Sequence, residues 1–242
     1  MDLSQHPSPT RLIGAVDATW PAAETRTVGG WTLRRGEGGG QRVSAASGHG
    51  EIGAAVHAMR TWGQPPLFRV GPDDTATDNA LEQAGYVVHD QTVLYAAKAE
   101  ALVGDTSHTA AAYRCQFRPA IMEEIWQKGG IGPARLAVMD RASGASCFLM
   151  SRAGDRPAGV AFLALDQEVA MIHAIEVLPE FRRQGAGVLL MELAARMAGE
   201  LGAEWLALAV TAANGPARAL YDRMGMRPVG QYHYRRLPGE GS

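Results

Sequence analysis

A short basic stretch that contains two glycines has the residue types of an anion-binding turn. It consists of Arg182, Arg183, Gln184, Gly185, Ala186 and Gly187. An apolar run at 169–177 precedes it and apolar residues at helical spacing follow it, so the order is strand, tight turn, helix. The first turn of a helix has unpaired N–H groups and a partial positive charge, and glycine lets an anion come close to the backbone. The stretch therefore predicts a phosphate-binding turn.

The spacing of these glycines excludes two common nucleotide-binding loops. A dinucleotide fingerprint requires a third glycine where Leu190 stands, and a nucleotide P-loop requires a Gly-Lys-Ser/Thr that this stretch lacks. The net charge of the chain is -2, whereas non-specific nucleic-acid binding requires a basic surface. We therefore expect a local site for a phosphate ligand of another kind, and no nucleic-acid partner.

The stretch resembles the Arg/Gln-x-x-Gly-x-Gly/Ala loop of the GNAT superfamily of acyl-CoA N-acyltransferases, in which this loop holds the pyrophosphate of coenzyme A. A second segment is similar to the family's Asn-x-x-Ala-x-x-Leu-Tyr-x-x-x-Gly-Phe pattern, through Asn214, Ala217, Leu220, Tyr221, Gly225 and Met226. The resemblance covers about Ala158 to Tyr234. It implies an N-acetyltransferase that moves an acetyl group from acetyl-CoA to a primary amine of a small molecule or peptide, by direct attack in a ternary complex and without a metal.

The resemblance also implies roles for individual residues. Backbone groups of Ile175 and Val177 would bind the pantetheine arm or the thioester, and the turn from Arg182 to Gly187 would bind the pyrophosphate. Asn214 would bind the cofactor, cap the helix that it precedes, or do both. Tyr221 would protonate the coenzyme A sulfur, with an aromatic packing role as the alternative.

Two residues are candidates for the base that takes a proton from the amine. Alternation along strand 169–177 places His173 on one face with Ile175 and Val177, and Glu176 on the other face. His173 suits the role because histidine titrates near neutral pH, and a structural histidine is an equal alternative. Glu176 is either the base or a partner of Arg182 or Arg183 that orients the turn.

We expect an α/β protein with a GNAT fold, in which helices flank a central, mostly antiparallel mixed sheet. The length of 242 residues suits one large or two small domains. A small polar segment predicts a boundary between a reduced, non-catalytic GNAT-like lobe, 1–104, and a catalytic acetyl-CoA-binding domain, 105–242. The lobe resembles the second half of a GNAT fold, since a predicted helix ends in Leu-Glu-Gln-Ala-Gly-Tyr at 81–86, but it has no basic glycine loop.

The N-terminal half also gives local predictions. Residues 28–35 and 41–47 are predicted strands, and Gly36 to Gly40 is a loose turn rather than a phosphate loop, because no apolar strand precedes it. Cys115 and Cys147 are predicted core residues without metal-ligand spacing. Trp20, Trp31, Trp62 and Trp126 are either core residues or walls of the acceptor site.

Further expectations concern location, partners and an alternative function. The first nine residues are polar, and no run approaches the ~20 apolar residues of a membrane span, so we expect a cytoplasmic protein without a membrane partner. The C-terminal strand near Gln231 to Arg236 is predicted to be an exposed edge, through which two copies could pair as a homodimer, and the sequence leaves the oligomeric state open. A non-catalytic acyl-CoA-binding or regulatory module is the alternative to an enzyme.

Overall fold

The computed structural model describes residues 6–104 and 111–240, which form a mixed α/β fold around an open sheet. The helices are α1 Pro9–Thr19, α2 Ile52–Thr61, α3 Thr75–Gln83, α4 Ala120–Lys128, α5 Pro133–Asp140, α6 Ala186–Glu200 and α7 Gly215–Arg223. The strands are β1 Glu24–Val28, β2 Trp31–Arg35, β3 Ser47–Gly48, β4 Leu67–Val70, β5 Val87–Lys98, β6 Ala112–Cys115, β7 Ser146–Ala153, β8 Arg156–Asp166, β9 Val169–Val177, β10 Trp205–Thr211 and β11 Arg227–Arg236. The expected fold class is confirmed.

Two sheets contain all of these strands. The main sheet has eight strands in the order β4-β11-β5-β10-β9-β8-β7-β6, and a small sheet has the order β1-β2-β3. Every neighbouring pair in the main sheet is antiparallel except β9 and β10, which are parallel. The sheet is therefore mixed only at the point where the chain crosses over through α6.

Strands from both predicted lobes share the main sheet. β5 pairs with β10 on one side and with β11 on the other, and β11 pairs in turn with β4. The two strand-helix-strand units, β4-α3-β5 and β10-α7-β11, are thus interleaved. The predicted boundary after residue 104 falls beside 105–110, which lie outside the described residues.

Helices cover both faces of the main sheet and bury its apolar side chains. On one face, Leu190 and Leu193 of α6 pack with Ile172 of β9. On the other face, Val16 of α1 packs with Met171, and α4 packs on β8. This alternation of neighbouring residues between two apolar layers explains why the central strands are apolar almost throughout.

A buried ion cluster joins the N-terminal helix to both sheets. Asp17 of α1 accepts hydrogen bonds of 2.7 Å from both terminal nitrogens of Arg69 and one of 2.7 Å from Arg34. Both arginine side chains are less than one-tenth exposed. Because they hold Asp17 as an anion, the pKa of its carboxyl is lowered against the opposing effect of burial. Asp17 therefore neutralises part of a buried positive charge.

Three local predictions are wrong for identifiable reasons. Residues 28–35 are not one strand, because Gly29 and Gly30 adopt φ values of +54° and +87° and turn the chain between β1 and β2. Residues 41–43 form a 3-10 helix, and only Ser47–Gly48 pairs as a strand. The segment 231–236 is not an edge, because β11 lies between β4 and β5. Strand 231–236 therefore lacks the free edge that was predicted for pairing between two copies.

Two further features of the described chain bear on the expectations above. Both cysteines are buried and free, as predicted, and burial raises the pKa of the Cys147 thiol to about 11. Within residues 6–104 and 111–240, no helix is long and apolar enough to cross a membrane.

Candidate active site

Strands β9 and β10 separate at the centre of the main sheet. They pair only from Trp205 with Val169 to Ala207 with Met171, although β9 continues to Val177 and β10 to Thr211. A cavity of about 370 Å³ is lined by Ile172 to Ile175 of β9 and by Leu208 to Thr211 of β10, the residues beyond the last pair. The backbone groups that face this opening are thus free from strand pairing, so a ligand can hydrogen-bond to them.

A β-bulge in β9 changes which side chains share a face. Phe162 of β8 pairs with His173 and Val160 pairs with Glu176, so β9 has one residue more than β8 between these pairs. Ala174 takes up this residue with a φ of +49°, and the indole nitrogen of Trp126 donates a 2.7 Å hydrogen bond to its carbonyl oxygen. The strict alternation predicted from the sequence therefore ends at Ala174.

The bulge overturns the predicted separation of the two candidate bases. Ile172 and Ile175 both pack against the α6 side of the sheet. In a regular strand, residues i and i+3 would lie on opposite faces. His173 and Glu176 consequently both face the side of α1 and α4, where His173 contacts Trp20 and Glu176 lies against Gly129. His173 does not share the face of Ile175, because the extra residue reverses the alternation beyond it.

His173 is held as a neutral imidazole, and one of its two ring nitrogens has no hydrogen-bond partner among the described residues. The hydroxyl of Thr19 donates to the carbonyl oxygen of Ala15 at 2.6 Å, so it can only accept from His173 Nε2, which lies 2.8 Å away. Nε2 therefore carries the proton, and Nδ1 has no hydrogen-bond partner among the described residues. Burial, reinforced by the charge of Arg42, lowers the pKa of His173 well below 6.5.

Tyr221 of α7 and Asn214, which caps the N-terminus of that helix, also line the cavity. Burial raises the pKa of the Tyr221 hydroxyl to about 12, so this group keeps its proton at neutral pH and can donate a hydrogen bond. Its ring packs at 5.6 Å from that of Tyr95, which fixes the orientation of the side chain. The side chain of Asn214 accepts a 3.2 Å hydrogen bond from the backbone N–H of Ala217, so the predicted capping role is confirmed.

The glycine turn has the backbone shape of an anion site. Arg183 and Gly185 adopt φ values of +63° and +87°, and α6 begins directly after Gly185. A side chain at Gly187 would come within 3.2 Å of Leu220, so glycine allows the turn to lie close to α7. Arg182, Arg183, Gln184 and Gly185 are all exposed, which leaves the first turn of α6 open to a ligand.

Glu176 joins this turn to β9, and the predicted pairing with an arginine is confirmed. Glu176 Oε1 accepts a 3.2 Å hydrogen bond from Arg182, whose Nε donates to the carbonyl oxygen of Val177 at 3.0 Å. One guanidinium thus bridges the end of the strand and the carboxylate. Gly129 leaves the space that Glu176 occupies, since a Cβ there would lie 2.4 Å from Glu176 Cδ.

The described residues therefore divide the predicted site into two groups. His173, Ile175, Asn214 and Tyr221 line the cavity between β9 and β10, whereas Glu176, Val177 and the turn from Arg182 to Gly187 do not. Gly187 lies next to Val177 and Leu220, so the turn adjoins the end of β9 and α7. In the described ranges, 6–104 and 111–240, no group of three or more acidic, histidine or cysteine side chains could hold a metal ion.

Sequence reasoning missed most of the part of the cavity that the N-terminal half supplies. Trp20, which the sequence left as either a core residue or a wall of the acceptor site, lines the cavity. The lining also includes residues that were not predicted: Gly39, Gly40, Gln41, Arg42, Asp90 and Thr92, together with Tyr234 of β11. Arg42 donates a 2.6 Å hydrogen bond to the carbonyl oxygen of Ala209, within the opening itself. The sequence predicts the glycine run to be a loose turn, because no apolar strand precedes it. Only the tertiary fold brings it to the opening, so no local pattern could have identified it.

Comparison with known proteins agrees with this geometry. Residues 112–226 match a family model described as "Acetyltransferase (GNAT) family". Over 232 residues the chain is 23% identical to "Uncharacterized N-acetyltransferase YobR" of Bacillus subtilis (strain 168), a match that covers 90% of this chain and 94% of that protein. Similarity to these proteins therefore extends beyond the segment that carries the two motifs.

Solved structures share the fold over nearly the whole chain. A GCN5-related N-acetyltransferase from Kribbella flavida superposes with a TM-score of 0.73 at 17% identity, over 96% of each chain. A tandem GNAT protein from the clavulanic acid biosynthesis pathway superposes with a TM-score of 0.58 at 13% identity, over 97% of this chain and 91% of that one. At these identities the likeness concerns the fold, including the arrangement of the N-terminal half.

Proposed function

Because residues 112–226 match the GNAT acetyltransferase family model, we propose that the protein transfers an acetyl group from acetyl-CoA to a primary amine by direct attack in a ternary complex. The observation that carries this proposal is the opening between β9 and β10, where His173 and Tyr221 line one cavity beside unpaired backbone. The acceptor amine is that of a small molecule or peptide. A covalent enzyme intermediate is disfavoured because both cysteines are buried outside the cavity.

Acetyl-CoA would lie across the end of β9, with each part held by a different group of residues. The open first turn of α6 and the exposed Arg183 would bind the pyrophosphate, and the bridge from Glu176 through Arg182 to Val177 would keep this turn in place. Free backbone groups near Ile175 would bind the pantetheine arm or the thioester oxygen. The cofactor supplies the activated acetyl group, and the protein aligns it with the amine.

In this proposal, Tyr221 donates a hydrogen bond to the departing sulfur. A tyrosine with a pKa of about 12 stays protonated at neutral pH, so the donor is present in every enzyme molecule. His173, which lines the cavity, accepts a proton of the amine at Nδ1, the ring nitrogen without a hydrogen-bond partner among the described residues. Its lowered pKa makes it a weak base, but the N–H protons become strongly acidic once the nitrogen has attacked the carbonyl carbon, so a weak base suffices.

Thiol release from acetyl-CoA, measured with a panel of primary amines, tests the proposed reaction. Tyr221→Phe keeps the ring packing and removes the hydroxyl, so turnover should fall by ~10²-fold with little change in coenzyme A affinity. Tyr113→Phe, an exposed tyrosine outside the cavity, is the matched control and should retain full turnover. Coenzyme A binding without thiol release for any amine would instead favour the non-catalytic acyl-CoA-binding module.

The two candidate bases give different pH profiles. If His173 takes the proton, His173→Gln should lower the rate most at neutral and lower pH, and high pH should partly restore it because hydroxide can then take the proton from the adduct instead. Glu176→Gln should weaken coenzyme A binding without changing the profile, because it loosens Arg182. The reverse pattern would assign the base to Glu176. If neither variant shows its expected effect, water is the proton carrier.

We also propose a cytoplasmic location, which cell fractionation tests.

A further inference from the structure

Two arginines line the cavity without a carboxylate partner. Arg42 comes from the 3-10 helix Gln41–Val43 and Arg135 from α5. Neither forms an ion pair with any described residue, whereas Arg34, Arg69, Arg118 and Arg235 each contact at least one carboxylate. The one hydrogen bond of Arg42 within the described chain goes to the carbonyl oxygen of Ala209. A guanidinium has five N–H donors, so most of those on Arg42 are left for a ligand.

Among the described residues that line this cavity, Asp90 is the one acidic side chain, and it already has polar contacts. Asp90 Oδ2 accepts a 2.9 Å hydrogen bond from Gln41 and lies 3.4 Å from His89. It forms no ion pair with Arg42 or Arg135. The cavity therefore carries a positive charge in excess, in a protein whose net charge is -2.

Arg42 lies close to the groups proposed for the chemistry. Its charge contributes to lowering the pKa of His173, although burial is the larger cause, and it opposes the effect of burial on the pKa of Tyr221. Arg135 is an exposed residue of α5, and its guanidinium lies next to Gly40. Arg42 thus lies at the opening between the two strands, and Arg135 lies at the solvent-exposed side of the cavity.

Building on the proposed acetyl transfer, we propose that the acceptor is an amine that also carries a carboxylate, as a free amino acid does, and that Arg42 and Arg135 bind this carboxylate. A planar guanidinium binds a carboxylate with two parallel hydrogen bonds, which fixes the position of the neighbouring amine. The same positive charge disfavours the ammonium form of the acceptor and so increases the fraction of reactive free amine. The phosphates of coenzyme A are assigned elsewhere, because the turn from Arg182 to Gly187 does not line this cavity.

The test compares acceptors that differ only in the anionic group. Thiol release is measured with a panel of amino acids, with their carboxamides and with amines that carry a phosphate instead. Loss of a charge-assisted contact costs about 10- to 100-fold in kcat/KM, so the wild-type protein should prefer each acid over its amide by at least ~10-fold. Arg42→Gln and Arg135→Gln should each reduce this acid-to-amide ratio. Arg223→Gln, an exposed arginine outside the cavity, should preserve it.

Equal kcat/KM for acids and amides in the wild-type protein would overturn the inference while leaving amine acetylation intact. So would a ratio that survives in both arginine variants, or a clear preference for the phosphate-bearing amines. Since Arg42 also contacts Ala209, Arg135→Gln decides the matter if circular dichroism shows that Arg42→Gln is unfolded. If no amine is acetylated, calorimetry with N-acetyl amino acids and their amides decides: acid-selective binding that Arg135→Gln abolishes supports the carboxylate site, and its absence refutes it.

Discussion

Replacement of His173 by glutamine should change how the stability of the protein depends on pH. His173 is 2% exposed and its pKa lies well below 6.5, so the folded protein keeps it neutral. In the unfolded chain the same histidine takes up a proton near pH 6.5. The unfolded state therefore binds more protons below this pH, and stability must fall as the pH is lowered through this window.

The size of this effect follows from linkage. One proton bound only by the unfolded state changes the free energy of unfolding by about 1.4 kcal/mol per pH unit. Between pH 7 and pH 5, His173 should therefore cost the wild-type protein about 2 kcal/mol. His173→Gln has no titrating group at this position and should lack this part of the slope. Any constant cost of the substitution shifts the whole curve and leaves the slope unaffected.

Urea denaturation at pH 7, 6.5, 6, 5.5 and 5 measures both slopes. Carboxylates such as Asp17 and Asp78, whose pKa values are lowered by arginine contacts, also lose stabilising effect in acid, but they do so equally in both proteins. His57→Gln is the matched control, because His57 is exposed on α2 and should leave the wild-type slope unchanged. Parallel stability curves for the wild-type protein and His173→Gln would refute the reasoning, since His173 would then be protonated without unfolding.

Three further predictions concern the turn and the ion cluster. Gly185→Val should abolish or strongly weaken coenzyme A binding in calorimetry, because a β-branched residue is strained at the φ of +87° that Gly185 adopts. Gly199→Ala, inside α6, is the control and should bind coenzyme A normally. Unchanged affinity of Gly185→Val would show that the turn is not part of the site. Glu176→Gln should lower coenzyme A affinity by about 3- to 10-fold through the loss of the contact with Arg182, and equal affinity would show that this bridge has no role. Asp17→Asn should reduce the free energy of unfolding by about 3 kcal/mol in urea titrations, because it leaves two buried cations. Glu24→Gln, in a half-exposed ion pair with Arg26, should cost less than about 1 kcal/mol, and similar costs would contradict the cluster's role.

The sequence alone was enough to predict the features that depend on residues close together in the chain. The bounds of β9 were predicted to the residue, because it is a largely apolar run that precedes the glycine turn. The glycine turn and the cap at Asn214 were found because their chemistry depends on a few adjacent residues. These elements owe their form to neighbours along the chain, and for that reason the sequence reveals them.

The sequence was insufficient where structure depends on distant partners. The bulge at Ala174 was missed because alternation of apolar and polar residues does not reveal an extra residue, which exists only relative to β8. Arg42 was missed because its position beside Ala209 requires the small N-terminal sheet and β10 to meet. The edge predicted at 231–236 failed for the same reason, since β4 is its neighbour only in the folded sheet.

The place of β5 in the main sheet has a consequence for the order in which the chain can fold. β5 leaves the ribosome well before β10 and β11, the two strands that hydrogen-bond to its edges. During this interval the apolar segment from Val93 to Ala97 has neither partner, and unpaired apolar strands are the usual starting points of aggregation. The contacts that complete the sheet are among the most distant in the sequence, which slows folding. Newly made chains should therefore depend on a chaperone or on slow translation until β11 has emerged.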